Sequence, residues 1–243
     1  PEVVVNLEVR DNEAYLFTEK IIGVGGLPID SSQKVLCLFS GGMDSPVAAY
    51  QLMKRGCAVD FLFINMQGDK SLFEAAKVYN YLVGEYWYGH APKFVHVDAR
   101  AVVEKIIKDV PSSLRQVVLK VAFYQIASLI PGYSAIATGE ALSQKSSQTL
   151  HSLAVLDQFI DKLVLRPVIG MDKDEVMAAA RKIGTYYSSQ KVTEYCSLSN
   201  GPVTTVPKLE DIKANVVDVS SVTWSVTKGQ VIVDSVDEEE VTN

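Results

Sequence analysis

Apolar positions along this chain follow two periods, and from residue 34 onward the two alternate. Lys34-Val-Leu-Cys-Leu-Phe39 and Val59–Asn65 are almost unbroken apolar runs. That pattern belongs to strands buried on both faces. Shorter strand-like stretches follow at Phe94–Val97, Ser134–Thr138 and Leu163–Leu165. Between them the apolar residues fall three and four apart, as on one side of a helix. Leu72, Ala75, Ala76, Tyr79, Leu82 and Val83 mark one such face, and Val102, Val103, Ile106, Ile107 and Val110 another. A further helix is expected from a Ser112/Ser113 cap through Leu114, Val117, Val118, Val121 and Ile126. Asp172-Lys-Asp-Glu175 has the form of a capping box and predicts a helix ending before Gly184. Buried strands alternating with helices predict an α/β fold with a doubly wound parallel sheet, whose ligands bind at the carboxyl ends of the strands.

The two ends of the chain read differently. Val3–Val9 and Ala14–Phe17 form a hairpin pattern around Asp11-Asn12-Glu13. A lone hairpin is marginal in water, so residues 1–28 read as the last piece of another module plus the linker Gly23-Val-Gly-Gly-Leu-Pro28. Residues 29–205 carry the α/β pattern. Residues 206–243 form a C-terminal extension in which Leu209–Val216 suits a helix, while Val217–Val233 suits strands or a short helix plus strand. The segment ends in the acidic run Asp234-Ser-Val-Asp-Glu-Glu-Glu240, read as a solvated tail.

Composition narrows the picture without changing it. With 243 residues, 48% of them apolar, one sizeable core is expected. There is no run of about 18 apolar residues for a membrane span, and no charged-then-apolar leader, so a cytoplasmic protein is expected. The sequence opens on Pro1, which fits a processed chain or a piece of a longer one. A net charge of −6 argues against a nucleic-acid surface spread over the whole chain but leaves room for a local basic patch. Cys37, Cys57 and Cys196 form no C-x-x-C pair, and His90, His96 and His151 have no metal-ligand spacing. Cys37 and Cys57 lie in apolar runs and are expected as buried small hydrophobes, and His96 as a structural strand residue.

The strongest chemical signal is Ser40-Gly41-Gly42-Met43-Asp44-Ser45, between the first strand and a helical stretch, Val47–Arg55, that Gly56 stops. Strand, glycine turn and helix start together aim backbone N–H groups and the positive end of a helix dipole at one point, which suits an anion. Ser45 is expected as the N-cap and Pro46 as the first helical residue. A P-loop would need a lysine after the glycines, and a dinucleotide fingerprint needs G-x-G-x-x-G; neither is present. An ordinary strand-to-helix turn is the plain alternative. Gly139-Glu-Ala-Leu-Ser-Gln-Lys-Ser-Ser-Gln-Thr-Leu150 crowds hydrogen-bonding groups at another strand end, either to recognise a nucleotide or simply as a polar loop. Lys173 sits where a helix dipole disfavours a cation, so it either faces an anion or is tolerated by solvent. Cys196, in the loop-like Tyr195-Cys-Ser-Leu-Ser-Asn-Gly-Pro202, is either reactive or inert.

Taken together, S-G-G-M-D-S-P-V-A-A-Y, G-E-A-L-S-Q-K-S-S-Q-T-L and R-P-V-I-G-M-D-K-D-E, in this order, closely resemble the tRNA 4-thiouridine synthetases, or tRNA uridine sulfurtransferases. Phe17-Thr-Glu-Lys-Ile-Ile-Gly-Val-Gly-Gly-Leu-Pro28 is similar to that family's junction between an RNA-binding THUMP domain and the catalytic domain. The resemblance spans residues 15 to 200 and implies an adenine-nucleotide hydrolase-like fold with a pyrophosphatase (PP) loop. It implies that ATP adenylates O4 of a tRNA uridine, usually position 8, and that a persulfide-derived sulfur then displaces AMP. By that resemblance Ser40, Gly41, Gly42 and Ser45 cradle pyrophosphate, and Asp44 positions phosphate-bound Mg²⁺ or the reacting groups. Leu38, Phe39, Phe63 and Ile64 wall the adenine, Gly139 and Gln148 contact nucleotide, and Lys120 contacts phosphate. Lys173 would stabilise developing phosphate charge, and Cys196 matches the family's reactive cysteine. Many bacterial members add a rhodanese domain with a second cysteine, and some archaeal ones carry C-x-x-C where this sequence has Cys196-Ser-Leu-Ser199. The sulfur donor therefore stays open between a cysteine desulfurase persulfide and inorganic sulfide, and a homodimer and a role in thiamine synthesis also stay open. Another PP-loop enzyme, such as a different tRNA thiolase or an amide ligase, or a non-catalytic nucleotide-binding domain, would carry the same loop.

Overall fold

The computed structural model describes residues 1–193, 198 and 201–233. The chain runs β1 (Asn6–Arg10), β2 (Glu13–Phe17), β3 (Lys34–Leu38), α1 (Asp44–Lys54), β4 (Ala58–Asn65), α2 (Asp69–Tyr86) and β5 (Lys93–Asp98). It continues with α3 (Arg100–Asp109), α4 (Arg115–Leu129), β6 (Ala135–Ala137), α5 (Leu150–Leu156), β7 (Leu163–Leu165) and α6 (Lys173–Lys182). Last come α7 (Tyr186–Ser189), α8 (Leu209–Lys213) and β8 (Trp224–Lys228).

Strands β1 and β2 pair antiparallel as a separate hairpin, as expected. The other six form one sheet in the order β7-β6-β3-β4-β5-β8. Five of these are parallel, and β8 alone lies antiparallel against β5. The undecided stretch 217–233 thus supplies a single strand that closes one edge of the main sheet. The chain builds outward from β3 through β4 to β5, then returns to the other side of β3 with β6 and β7. The winding direction therefore reverses between β3 and β6, the place where doubly wound sheets leave a crevice for ligands.

Alternation along the strands divides the core between two layers. Val35, Cys37 and Phe39 point to the layer with Val59, Phe61 and Phe63, covered by Val47, Ala48 and Ala49 of α1, by α2, and by Val176 and Ala180 of α6. Leu36, Leu62, Val95 and Val97 point to the other, covered by α3, α4, α5 and Ile212 of α8. Helix α4 buries residues around most of its circumference, Val117, Val118, Val121, Tyr124 and Ile126 among them, so it is an interior helix rather than a surface one. In the first layer, Phe39, Phe61 and Tyr79 meet edge to face, with centroids 5.2 Å apart for Phe39–Phe61 and 4.9 Å for Phe61–Tyr79. Trp87 closes on Phe61 at 5.5 Å. This aromatic block supports the end of β3, from which the glycine turn departs.

The helix starts correct two expectations. Helix α1 begins at Asp44, with Met43 at the capping position and already helical at φ −61°, ψ −41°. Ser45 does not cap it, because its hydroxyl is taken by the turn itself, and Pro46 is the third helical residue. Proline is still harmless there, since first-turn N–H groups have no intrahelical acceptor. Helix α4 has Leu114 rather than a serine at its cap. The capping box of α6 is present: Glu175 N–H donates to Asp172 Oδ1 at 2.8 Å, and Asp172 N–H donates to Glu175 Oε2 at 2.9 Å. Cys37 is fully buried, whereas Cys57 is only half-buried.

Replacing Phe61, whose ring touches Phe39, Tyr79 and Trp87, by Ala is expected to cost about 3–5 kcal/mol of stability. Urea denaturation of the variant against the parent protein measures this loss.

Candidate active site

A cleft of about 220 Å³ opens at the carboxyl ends of β3, β4 and β6. One wall is apolar, formed by Leu38, Phe39, Leu62, Phe63, Ile64 and Leu119. The opposite wall is polar: Ser40, Gly42, Asp44 and Ser45 from the turn after β3, and Thr138, Gly139, Glu140, Ser147 and Gln148 from the segment after β6. An apolar slot beside a converging set of polar groups is the ordinary form of a small-molecule site.

The turn is braced from within. Ser40 N–H donates to Ser45 Oγ at 3.2 Å, and Gly42 N–H donates to Ser40 Oγ at 3.3 Å. Gly41 has φ +78°, and a Cβ there would lie 2.9 Å from Cα of Ala75 in α2, so glycine is required on both counts. Across the crevice, a Cβ on Gly139 would sit 2.8 Å from the backbone carbon of Asp44 and from the amide nitrogen of Ser45. The two strand ends thus touch main chain to main chain. The start of α1, with the positive end of its dipole, faces the cleft from there.

Glu140 is the buried charge of the site, with 1% of its surface exposed. Its Oε2 accepts from the Tyr124 hydroxyl at 2.8 Å, from Thr138 Oγ1 at 3.0 Å and from Arg166 Nε at 3.1 Å. Lys120 Nζ lies 3.5 Å from its Oε1. Burial alone would raise its pKa, but Lys120, Tyr124 and Arg166 together hold it below the usual value. Arg166 also pairs with Asp157 and donates to the Tyr124 hydroxyl at 3.0 Å. Burial and then the Glu140 charge push the Tyr124 hydroxyl up, so it remains a donor. Gln148 is buried too, and its Oε1 has no hydrogen-bond partner among the described residues, leaving an acceptor in the wall of the cleft. An unpaired buried acceptor costs about 1–3 kcal/mol unless something donates to it.

At the end of β4, Asn65 braces the turn into α2, from which Gln67 and Ser71 reach the cleft. Its Oδ1 accepts from Gln67 N–H, Gly68 N–H and Ser71 Oγ, while its Nδ2 meets His96 Nε2 at 3.2 Å. Burial lowers the His96 pKa, so the ring is neutral and accepts, the structural part expected of it. Burial also pushes the Cys37 thiol up to about 12, which leaves it protonated and unreactive at neutral pH.

Eleven of the residues singled out in the sequence line this one cleft: Leu38, Phe39, Ser40, Gly42, Asp44, Ser45, Phe63, Ile64, Lys120, Gly139 and Gln148. Gly41 stands just behind it, against Ala75. Lys173 is exposed at the start of α6 and is not on the wall. Cys196 lies outside the described residues; Thr193 before it lines the cleft, and Leu198 after it is buried, its carbonyl accepting from Arg115 at 3.2 Å. Sequence reasoning missed Gln116, Ser71, Thr193 and the Arg166–Glu140–Tyr124 brace. Gln116 stands one helical turn before Lys120, a spacing that could have revealed it. The brace had no signal, because its members are far apart in the chain.

Fold and cleft together define a doubly wound α/β domain with the PP-loop fold. Residues 30–220 match the family model described as "Thiamine biosynthesis protein (ThiI)", and the chain belongs to that family. It is 41% identical over 219 residues to a tRNA sulfurtransferase from Desulfurococcus amylolyticus, covering 88% of this chain and 45% of the relative. To a tRNA sulfurtransferase from Pyrobaculum aerophilum it is 45% identical over 202 residues, covering 82% and 41%. The chain thus spans less than half the length of these relatives. A solved 4-thiouridine synthetase–RNA complex with bound ATP superposes with a TM-score of 0.75 at 26% identity, over 93% of this chain and 63% of that one.

Two outcomes follow from this geometry. Gly139→Ala is expected to cost about 1–3 kcal/mol, because its Cβ would press on the backbone of Asp44. Gly170→Ala, with nothing within 4 Å, should cost much less in the same denaturation experiment. Because the folded pKa of Glu140 is depressed, its ionised form stabilises the protein above its ordinary value of 4.5, and this is lost as pH falls through the lower folded value. Glu140→Gln should therefore be less stable than the parent at pH 7, with the gap narrowing as the pH is taken below about 4.5.

Proposed function

We propose that the cleft binds ATP and that this chain is the adenylating centre of tRNA 4-thiouridine synthesis. The observation that carries the reading is the meeting of the Ser40–Ser45 turn with Gly139 at the winding reversal, on the wall of a cleft that also gathers Leu38, Phe39, Phe63, Ile64, Lys120 and Gln148. The amides of the turn and the first turn of α1 would take the β- and γ-phosphates, and the apolar slot of Leu38, Phe39, Phe63 and Ile64 the adenine. The uridine O4 attacks the α-phosphorus and the bond to the bridging oxygen breaks, releasing pyrophosphate. The outer sulfur of a persulfide then attacks C4 and AMP departs, and a second thiol, from a cysteine or an external thiol reductant, cleaves the remaining S–S bond, leaving sulfur on C4 and a disulfide behind. Adenylation makes a poor leaving oxygen a good one before sulfur arrives. Lys120, a quarter exposed beside Glu140, would share its charge with a phosphate.

Asp44 puts a carboxylate where phosphates would arrive, and a cation held there would relieve that repulsion. No cluster of three or more metal-ligating side chains occurs among the described residues. This fits Mg²⁺, which keeps several waters and binds through one or two carboxylates plus substrate phosphates. The ion would supply neutralisation of phosphate charge, with Asp44 as its protein ligand. Cys196 is proposed, by its match to the family's reactive cysteine, to take the outer sulfur of a desulfurase persulfide, the donor's thiol leaving; inorganic sulfide, the other source, would attack C4 directly without passing through Cys196. The exposed apolar side chains Leu7, Val9 and Leu16 of the hairpin support residues 1–28 as the end of a THUMP-type RNA-binding module.

With unmodified tRNA and ATP, the full-length protein containing this chain should release pyrophosphate and yield tRNA in which mass spectrometry finds sulfur in place of one uridine oxygen. Asp44→Ala should slow pyrophosphate release by about 100-fold or more. Undiminished release in that variant, or ATP turnover indifferent to tRNA, would defeat the proposal.

A further inference from the structure

Residues 184–193 lead from α6 back to the cleft as a strap held to α2 at both ends. At its start, Gly184 has φ +78° and lies so close to Tyr81 that a Cβ would be 1.9 Å from the tyrosine hydroxyl. The strap passes through α7, where Ser189 N–H donates to the Thr185 carbonyl at 2.9 Å, and then turns, with Val192 N–H donating to the Ser189 carbonyl at 3.3 Å. It ends on the wall of the cleft with Val192 and Thr193. A Cβ on Gly41 would lie 3.4 Å from Val192 Cγ2, so the strap rests against the phosphate-side turn. The backbone N–H of Thr193 donates to Glu74 Oε2 of α2 at 2.8 Å, across 119 residues of chain. Glu74 is the immediate neighbour of Ala75, the residue against which Gly41 is packed. Two successive residues of α2 therefore touch the two parts of the site: Ala75 supports the turn, and Glu74 holds the strap.

We propose that Glu74 is a positioning residue for the nucleotide: by accepting from the Thr193 amide it fixes the strap as the wall of the ATP site beside the glycine turn. The proposal rests on the cleft being an ATP site. Glu74 does not itself line the cleft, so it acts through Val192 and Thr193. This exposed carboxylate–amide hydrogen bond ties the strap end, and losing it frees that end to move away from bound phosphate.

Direct ATP titration of the full-length protein, with steady-state pyrophosphate release and thermal unfolding on the same samples, tests this. Glu74→Ala should weaken ATP binding and raise the KM for ATP about ten-fold, the size of one charge-assisted hydrogen bond, while kcat at saturating ATP stays within about two-fold. Glu74→Gln keeps an acceptor oxygen without the charge and should recover part of the affinity. Unchanged ATP affinity in Glu74→Ala, with or without a lower melting temperature, would overturn the proposal, because a purely structural tie moves stability alone. A Gln variant as weak as the Ala variant would also overturn it. Failure of the parent protein to bind ATP would instead overturn the reading of the cleft, and this proposal with it.

Discussion

The site depends on one close approach. Where the sheet changes its winding direction, the chain leaving β6 lies against the start of α1 with no space for even a methyl group between Gly139 and Asp44. That contact sets the distance between the two polar segments of the cleft. It also aims the first turn of α1 at the crevice, since the turn before it is pinned on its other side by Ala75 behind Gly41. Glycine at 41 and 139 is thus demanded by proximity to other main chain, a stronger constraint than flexibility. A site whose donors are backbone amides has no rotamers to adjust, so its precision comes from how the strands and helices beneath it pack.

Glu140 is the second fixed point. An ionised carboxylate with almost no exposed surface is costly unless its neighbours supply compensating charge and donors. Here the compensation comes from α4 through Tyr124 and Lys120, and from the chain after β7 through Arg166. The arrangement ties α4 and the chain after β7 to one buried side chain in the wall of the cleft. Removing one partner of such a group leaves an unbalanced buried charge, typically worth 3–5 kcal/mol, so the brace resists piecemeal change.

Most of the sheet was legible because strands buried on both faces have few alternatives. Val59–Asn65, Phe94–Val97 and Leu163–Leu165 read as strands from composition alone, and Asp172 and Glu175 announced their capping box. What failed was local chemistry overridden by contacts from elsewhere. Ser45 looked like a cap, but its hydroxyl serves Ser40, and the helix starts before it. β8 was ambiguous because its side chains are exposed and its partner is a distant strand. Most of the cleft residues named from the sequence could be gathered into one site because they lie at or just beyond the carboxyl ends of strands, which doubly wound sheets bring together; Lys120, on α4, is the exception. Glu74 and the pairing of Arg166 with Glu140 were invisible, since a tether and a counter-ion leave no local pattern, whereas Gln116, one helical turn before Lys120, could have been read from that spacing.

The antiparallel strand at the sheet margin has a consequence for biosynthesis. β5 is complete early, yet the segment that covers its outer side, Trp224–Lys228, is among the last described residues to be made. While the ribosome is still extending the chain, that row of amides and carbonyls stays open to pairing with any other extended polypeptide. Tyr79, whose hydroxyl donates to the carbonyl of Gly229 at 2.8 Å, and Asn80, whose amide bonds the backbone of Val231, then fasten the late-arriving segment in place. Translation must therefore run nearly to the end of this region before the nascent domain is shielded from wrong partners.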